Sequence, residues 1–203
     1  MELLTGADLA DLAARWIAER ASQSDPFRIA LVGGSTPRAA YERLSKFRLG
    51  WNSWHVWWSD ERLVPPDHPS SNERMAREAL LSRVPIPEEQ IHPLRAPDVA
   101  LPDRFDLVLL GLGTDGHTAS LFPGDEALEE TERKIVRVVR PDHPRLTFTY
   151  PVINAARAAA FLVAGAGKRE ILARVLARDM SLPAARVRAG ETVVLADDAA
   201  APR

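Results

Sequence analysis

Phe27-Arg28-Ile29-Ala30-Leu31-Val32-Gly33-Gly34-Ser35-Thr36-Pro37 is the stretch on which the fold turns. The short apolar run from Phe27 to Val32 has the length of a strand buried on both faces, and it stops at a pair of glycines. From Pro37 to Leu44 the spacing turns helical, and Pro37 suits a first helical turn because its missing N–H has no partner there anyway. The segment is therefore a strand, a tight glycine loop and a helix in immediate succession.

Outward from it the same unit recurs. Leu9, Leu12, Ala13, Trp16 and Ile17 lie three and four apart and predict an amphipathic helix before the strand, ended by Gln23 to Pro26. Trp54 to Trp58 predicts a second strand, followed by a Pro-rich loop from Leu63 to Ser71 and a helix from Asn72 to Leu81. Phe105 to Leu110 predicts a third strand ending in Gly111-Leu112-Gly113. Ile135 to Val139 reads as a fourth, and Ala160 to Ala164 as a fifth, ending in Gly165-Ala166-Gly167. A helix from Lys168 to Leu176 follows, with Ile171, Leu172, Val175 and Leu176 on one stripe. Pro85 to Pro102 reads as loop and Ala199 to Arg203 as a frayed tail. Strands alternating with helices predict an α/β fold: a mostly parallel sheet with helices on both faces, reached by right-handed crossovers. In such folds ligands bind beyond the carboxyl ends of the strands. The loops at Gly33 to Pro37, Ser59 to Arg62 and Gly111 to His117 each follow a strand, so they should converge on one crevice.

Composition narrows the classes of function. With 203 residues, 46% hydrophobic and 27% charged, the chain suits one sizeable core, and we expect a single domain over 1–203. No apolar run approaches the roughly 20 residues of a membrane helix, and Met1-Glu2-Leu3-Leu4 lacks a signal-like basic flank, which predicts a cytoplasmic protein with no membrane partner. There are no cysteines, and His55, His68, His92, His117 and His143 show no metal-ligand spacing, so neither a metal nor another cofactor is implied. A net charge of -2 gives no general attraction to nucleic acid. Any anion site must be a local cluster of donors. Nothing fixes the oligomeric state, and a monomer is compatible with the sequence.

Gly33, Gly34, Ser35 and Thr36 have the build of a phosphate cradle, with backbone N–H groups turned to the ligand and Ser35 or Thr36 capping the helix; an ordinary capped turn fits the same letters. The loop lacks the glycine pattern of dinucleotide binders and the Gly-Lys-Ser/Thr of nucleotide triphosphatases. His117, in Gly113-Thr114-Asp115-Gly116-His117, is the sharper signal. Asp115 lies close enough to accept a proton from one ring nitrogen, leaving the other as a base. His68 and His143 each sit in Asp-His-Pro, which reads as turn chemistry. In Ser59-Asp60-Glu61-Arg62, Arg62 suits a phosphate or carboxylate and Asp60 suits sugar hydroxyls, against the plain alternative of a solvated charge run. Lys168 is one of only three lysines, with Lys46 and Lys134, in a chain otherwise basic through arginine. A lysine at a helix start opposes the helix dipole, which points to an anion nearby. The tryptophans 51, 54, 57 and 58 are assigned to core packing.

Taken together, Leu31-Val32-Gly33-Gly34-Ser35-Thr36-Pro37, Trp58 to Pro65 with Ser71-Asn72, and Gly111 to Gly124 resemble the 6-phosphogluconolactonase family. The resemblance runs from about the first helix to Asp197. It implies the Rossmann-like three-layer sandwich shared with glucosamine-6-phosphate deaminases, and hydrolysis of a phosphorylated sugar lactone, 6-phospho-D-glucono-1,5-lactone, to 6-phosphogluconate in the pentose phosphate pathway. His117 would then be the general base oriented by Asp115, with the phosphate on Gly34, Ser35 and Thr36 and charge from Arg62 and Lys168. Arg145, before a possible strand from Leu146 to Tyr150, is a further candidate. Backbone N–H groups near Gly113, or the Arg62 head, are candidate oxyanion donors. Two departures separate the chain from the deaminases. Ala119-Ser120-Leu121-Phe122-Pro123-Gly124 follows the histidine with no carboxylate before Asp125, and Arg62 stands where the deaminase pattern has tyrosine. Thr114 replaces a proline often found in the lactonases. The remaining alternative is a non-catalytic sugar-phosphate sensor, a use the same fold has in some bacterial regulators; here the chain leaves no room for a DNA-binding module.

Overall fold

The structure is a computed structural model in which residues 1–202 are described. In chain order its elements are β1 (Glu2–Gly6), α1 (Leu9–Ala21), β2 (Phe27–Leu31), α2 (Ser35–Leu44), β3 (Trp54–Trp58), β4 (Asp60–Arg62), α3 (Asn72–Ala79), β5 (Leu107–Leu110), β6 (Ile135–Val138), β7 (Arg145–Phe148), α4 (Tyr150–Ala155), β8 (Ala158–Val163), α5 (Arg169–Leu176) and β9 (Glu191–Asp197).

Six strands form a parallel sheet in the order β1-β9-β8-β5-β2-β3. Every residue of β5 and β8 is buried, as expected of central strands covered on both faces. The expected α/β architecture is therefore the one observed. From β2 the chain moves to β3 on one side, then returns to place β5 on the other side of β2. That reversal opens a crevice beyond the carboxyl ends of β2 and β5, the position at which open α/β sheets bind ligands.

The second sheet was not anticipated. β4, β7 and β6 form a small antiparallel sheet, so Ile135–Val138 is a strand but not a member of the main sheet. β7 starts at Arg145 and ends at Phe148, and Tyr150 opens a helix rather than closing a strand. The two sheets meet at Ser59. Its N–H donates to the Leu31 carbonyl (2.8 Å) and its own carbonyl accepts from the Phe148 N–H (2.8 Å), so one residue carries the chain from β3 into β4. The strands at the other edge, β1 and β9, were also missed.

The buried apolar side chains form one contiguous cluster. The tryptophans belong to it as expected: Trp51 and Trp54 lie 4.5 Å apart by ring centroid, and Phe27 meets Trp54 edge-on at 4.8 Å. The end of the chain is less loose than expected. Arg169 donates to the carbonyls of Ala199 (2.8 Å) and Ala201 (3.1 Å), and Ala200 is fully buried; Arg203 lies outside the described residues. No helix among the described residues is long and apolar enough to cross a membrane.

Candidate active site

The Gly111 to His117 loop leaves β5 and folds back on itself. The Gly113 N–H donates to the His117 carbonyl (2.8 Å) and the Gly116 N–H to the Gly113 carbonyl (3.1 Å). Gly113 is required by contact: a β-carbon there would overlap the His117 ring and the Asp115 carboxylate. In this turn Asp115 Oδ1 lies 2.6 Å from His117 Nδ1 and accepts the His117 backbone N–H at 3.1 Å. Burial pushes the Asp115 carboxyl up, but the backbone and ring N–H groups of His117 outweigh it and hold the carboxyl below its ordinary range. A charged Asp115 on Nδ1 leaves Nε2 as the acceptor nitrogen of the imidazole. The Gly113 N–H itself is engaged within the loop, which leaves its neighbours and Arg62 as the oxyanion donors to consider.

A cleft of about 230 Å³ is lined by His117 together with Gly33, Asp60, Arg62, Asn72, Gly111, Gly113, Ala119, Arg145 and Lys168. The loops after β2, β3, β5 and β8 thus meet on one crevice. A second cleft of about 430 Å³ adjoins it, sharing Arg62 and Asn72, and is lined by Gly34, Ser35, Arg38 and Arg74. Thr36 lines neither. Nor does Ser35 or Thr36 cap α2: Gly34, at φ 115°, is the N-cap, with no side-chain hydrogen bond, and Ser35 and Thr36 occupy the first turn. A left-handed backbone there is what a glycine permits.

Asp60 and Arg62 are held from below. Ser120 Oγ donates to Asp60 Oδ2 (2.7 Å), and Asn72 Nδ2 donates to the Asp60 carbonyl (2.8 Å). Arg62 Nη1 donates to the Ser70 carbonyl (2.9 Å) and Asn72 Oδ1 (3.1 Å), while its Nε is buried without a partner. Glu61, between them, faces away from the cleft and accepts the N–H groups of Arg62, Asn72 and Glu73 at 2.7–2.8 Å. Burial pushes its carboxyl up more than those donors pull it down. Its work is at the start of α3. Arg145 opens β7, pairs with Asp142 (2.6 Å) and leaves its own Nε buried and unpartnered. Lys168 closes the short turn Ala166–Lys168 before α5, so the helix begins one residue later than expected. Asp197, at the end of β9, anchors that turn by accepting the Gly165 N–H at 2.9 Å. His68 and His143 stand outside the cleft, edge to face at 5.4 Å.

Sequence reasoning assigned no role to Asn72, which is 2% exposed and touches both Asp60 and Arg62. Its amide also sits where a β-carbon on Gly33 would be, so β2's loop, β4 and α3 lock together around it. The available signal was its place directly after the capping Ser71. Ala119, read only as part of the stretch after the histidine, was given no role either. It lines the cleft at φ 47°, a left-handed conformation uncommon for non-glycine residues.

The family model described as glucosamine-6-phosphate isomerases/6-phosphogluconolactonase matches residues 4–195. The chain belongs to that family. A 6-phosphogluconolactonase of Nostoc sp. is 45% identical over 203 aligned positions, covering 88% of this chain and 85% of that one. One from Synechocystis sp. is 46% identical, covering 79% and 74%. Among solved structures, the 6-phosphogluconolactonase of Thermotoga maritima superposes with a TM-score of 0.86 at 31% identity, covering 97% of this chain and 99% of that one. A monomeric glucosamine-6-phosphate deaminase reaches a TM-score of 0.81 at 18% identity over 98% of both chains, a likeness of fold alone. The two branches of the family share one backbone, so the choice between them falls to the side chains of the cleft.

Proposed function

We propose that the chain is a 6-phosphogluconolactonase, hydrolysing 6-phospho-D-glucono-1,5-lactone to 6-phosphogluconate. The observation that carries this reading is the His117–Asp115 pair facing Arg62, Arg145 and Lys168 across one cleft. His117 Nε2 takes a proton from water, whose oxygen attacks the lactone carbonyl carbon and forms a tetrahedral oxyanion. When the ring C–O bond breaks, the imidazolium returns the proton to the departing ring oxygen, and the new carboxylic acid ionises. Asp115 holds the tautomer and stabilises the transient imidazolium. Gly33, Gly34 and Ser35, with Lys168 and Arg145, provide for the phosphate; Thr36 contributes through its place in the first turn of α2. Asp60, fixed by Ser120 and Asn72, accepts a sugar hydroxyl. The Arg62 guanidinium, which lines the cleft, suits the oxyanion.

The decisive assay supplies 6-phosphogluconolactone and glucosamine 6-phosphate separately, corrected for spontaneous lactone opening. Acid release from the first and no ammonia from the second is the expected result. Ammonia release would transfer the chain to the deaminases, and tight binding without turnover would make it a sensor. His117→Ala should lower kcat by about 100-fold or more, the usual scale of a general base. Turnover near that of the parent would remove His117 from the mechanism.

A further inference from the structure

One aromatic ring beside the proposed base has no part in the steps above. Phe122 is 5% exposed, and the His117 imidazole packs against it with centroids 4.4 Å apart. Two guanidinium groups approach the same ring: Arg140 at 3.9 Å and Arg145 at 5.5 Å from its centroid. Arg145 has Asp142 as counter-ion, and Arg133 farther back has Glu130. Arg140 has no acidic partner among the described residues.

The placement of Arg140 reverses the usual order of burial. Along β6 and beyond, Val136 and Val138 point inward, Arg137 outward, and the alternation continues past the strand end. Val139 is consequently 77% exposed while Arg140 turns in toward Phe122. Exchanging the two residues would bury the apolar one and solvate the charge. A local rule broken in this way, on a ring that packs against two residues of the cleft, His117 and Arg145, is expected where the charge has work to do. Two like charges gathered on one ring with one carboxylate between them also leave a net positive site, which an anion would relieve.

We propose that Arg140 is a further substrate-binding residue, contributing a second guanidinium beside Arg145 to the phosphate of the substrate, and that Phe122 is the positioning residue that holds it next to His117. A guanidinium flat on an aromatic face keeps its N–H edges free for an oxyanion, so the stacking orients it without consuming its donors. The proposal rests on the lactonase reading for its substrate but on the ring geometry for the site.

The test uses Arg140→Gln, Arg140→Lys, Phe122→Leu and Phe122→Tyr in the full chain, with steady-state kinetics on 6-phosphogluconolactone and calorimetric binding of inorganic phosphate. Arg140→Gln should raise KM and the phosphate Kd by about tenfold with kcat within about twofold, because a phosphate contact is largely uniform binding. Arg140→Lys should recover part of this. Phe122→Leu should raise KM comparably and lower kcat as well, since both the cation and the base lose their support, and Phe122→Tyr should restore both. In the double variant Phe122→Leu/Arg140→Gln, KM should rise no further than in Phe122→Leu, the non-additivity of a residue acting through another. An active parent enzyme whose KM and phosphate affinity are indifferent to Arg140→Gln overturns the inference while leaving the lactonase reading intact. A parent with no lactonase activity whose phosphate affinity falls in Arg140→Gln does the reverse. Should Phe122→Leu fail to fold, the Arg140 pair still decides.

Discussion

A β-carbon at position 113 would occupy the space of the His117 ring and the Asp115 carboxylate. Gly113→Ala should therefore push the imidazole off its carboxylate and lower kcat nearly as far as His117→Ala, by about 100-fold, with a much smaller change in KM. Equal loss in KM and kcat would mean that the loop as a whole had moved. The histidine and its aspartate were legible in the sequence because two residues suffice: a turn places them in contact whatever the rest of the chain does. Asn72 was not legible, since its partners lie on two other segments, Asp60 and Arg62 on β4 and Gly33 after β2, and only the folded chain brings them together. The identity of the helix cap was lost for a related reason. Ser35 and Thr36 are good caps by composition, but the backbone crosses into left-handed space one residue earlier, at Gly34.

Among the elements, α3 depends on a residue that lies outside it. Glu61 receives the first N–H groups of the helix, where a carboxylate meets both unpaired donors and the positive end of the helix dipole. Glu61→Ala should leave those buried donors unsatisfied and cost about 2–4 kcal/mol in denaturant unfolding. A loss below about 0.5 kcal/mol would mean that solvent or a neighbour replaces the carboxylate. At the end of β8, Lys168 sits in a turn fastened by Asp197, and Lys168→Ala should raise KM several-fold with little change in kcat. An unchanged KM would reject its role at the phosphate. Strands β2, β3, β5 and β8 were legible because burial on both faces makes a strand nearly all apolar. β1 is half exposed at the sheet edge and reads as nondescript. β4, with the sequence Asp-Glu-Arg, becomes a strand only through its long-range pairing with β7, which local spacing does not encode.

For the molecule as a whole, the pH dependence of stability should bear the mark of two histidines remote from chemistry. His55 on β3 and His92 stack at 5.7 Å with ring nitrogens 3.4 Å apart. Burial depresses the pKa of both; Arg28 adds to the effect on His55, and His55 to that on His92. Because the folded state binds protons less readily than the unfolded one, their contribution is complete above the ordinary histidine pKa of about 6.5 and is lost as pH falls through the lower folded values. The thermal midpoint should fall on acidification below about pH 6.5, and His92→Gln should flatten that slope. An identical slope in the variant would assign the loss to other groups.

The first strand pairs with the last and with no other: β1 lies at the sheet edge against β9. During synthesis, residues 2–6 must therefore wait, without their hydrogen-bonding partner, until β9 has been made. Until then the neighbouring β9 site stands empty, and an unfilled strand position at a sheet edge is open to pairing with another chain.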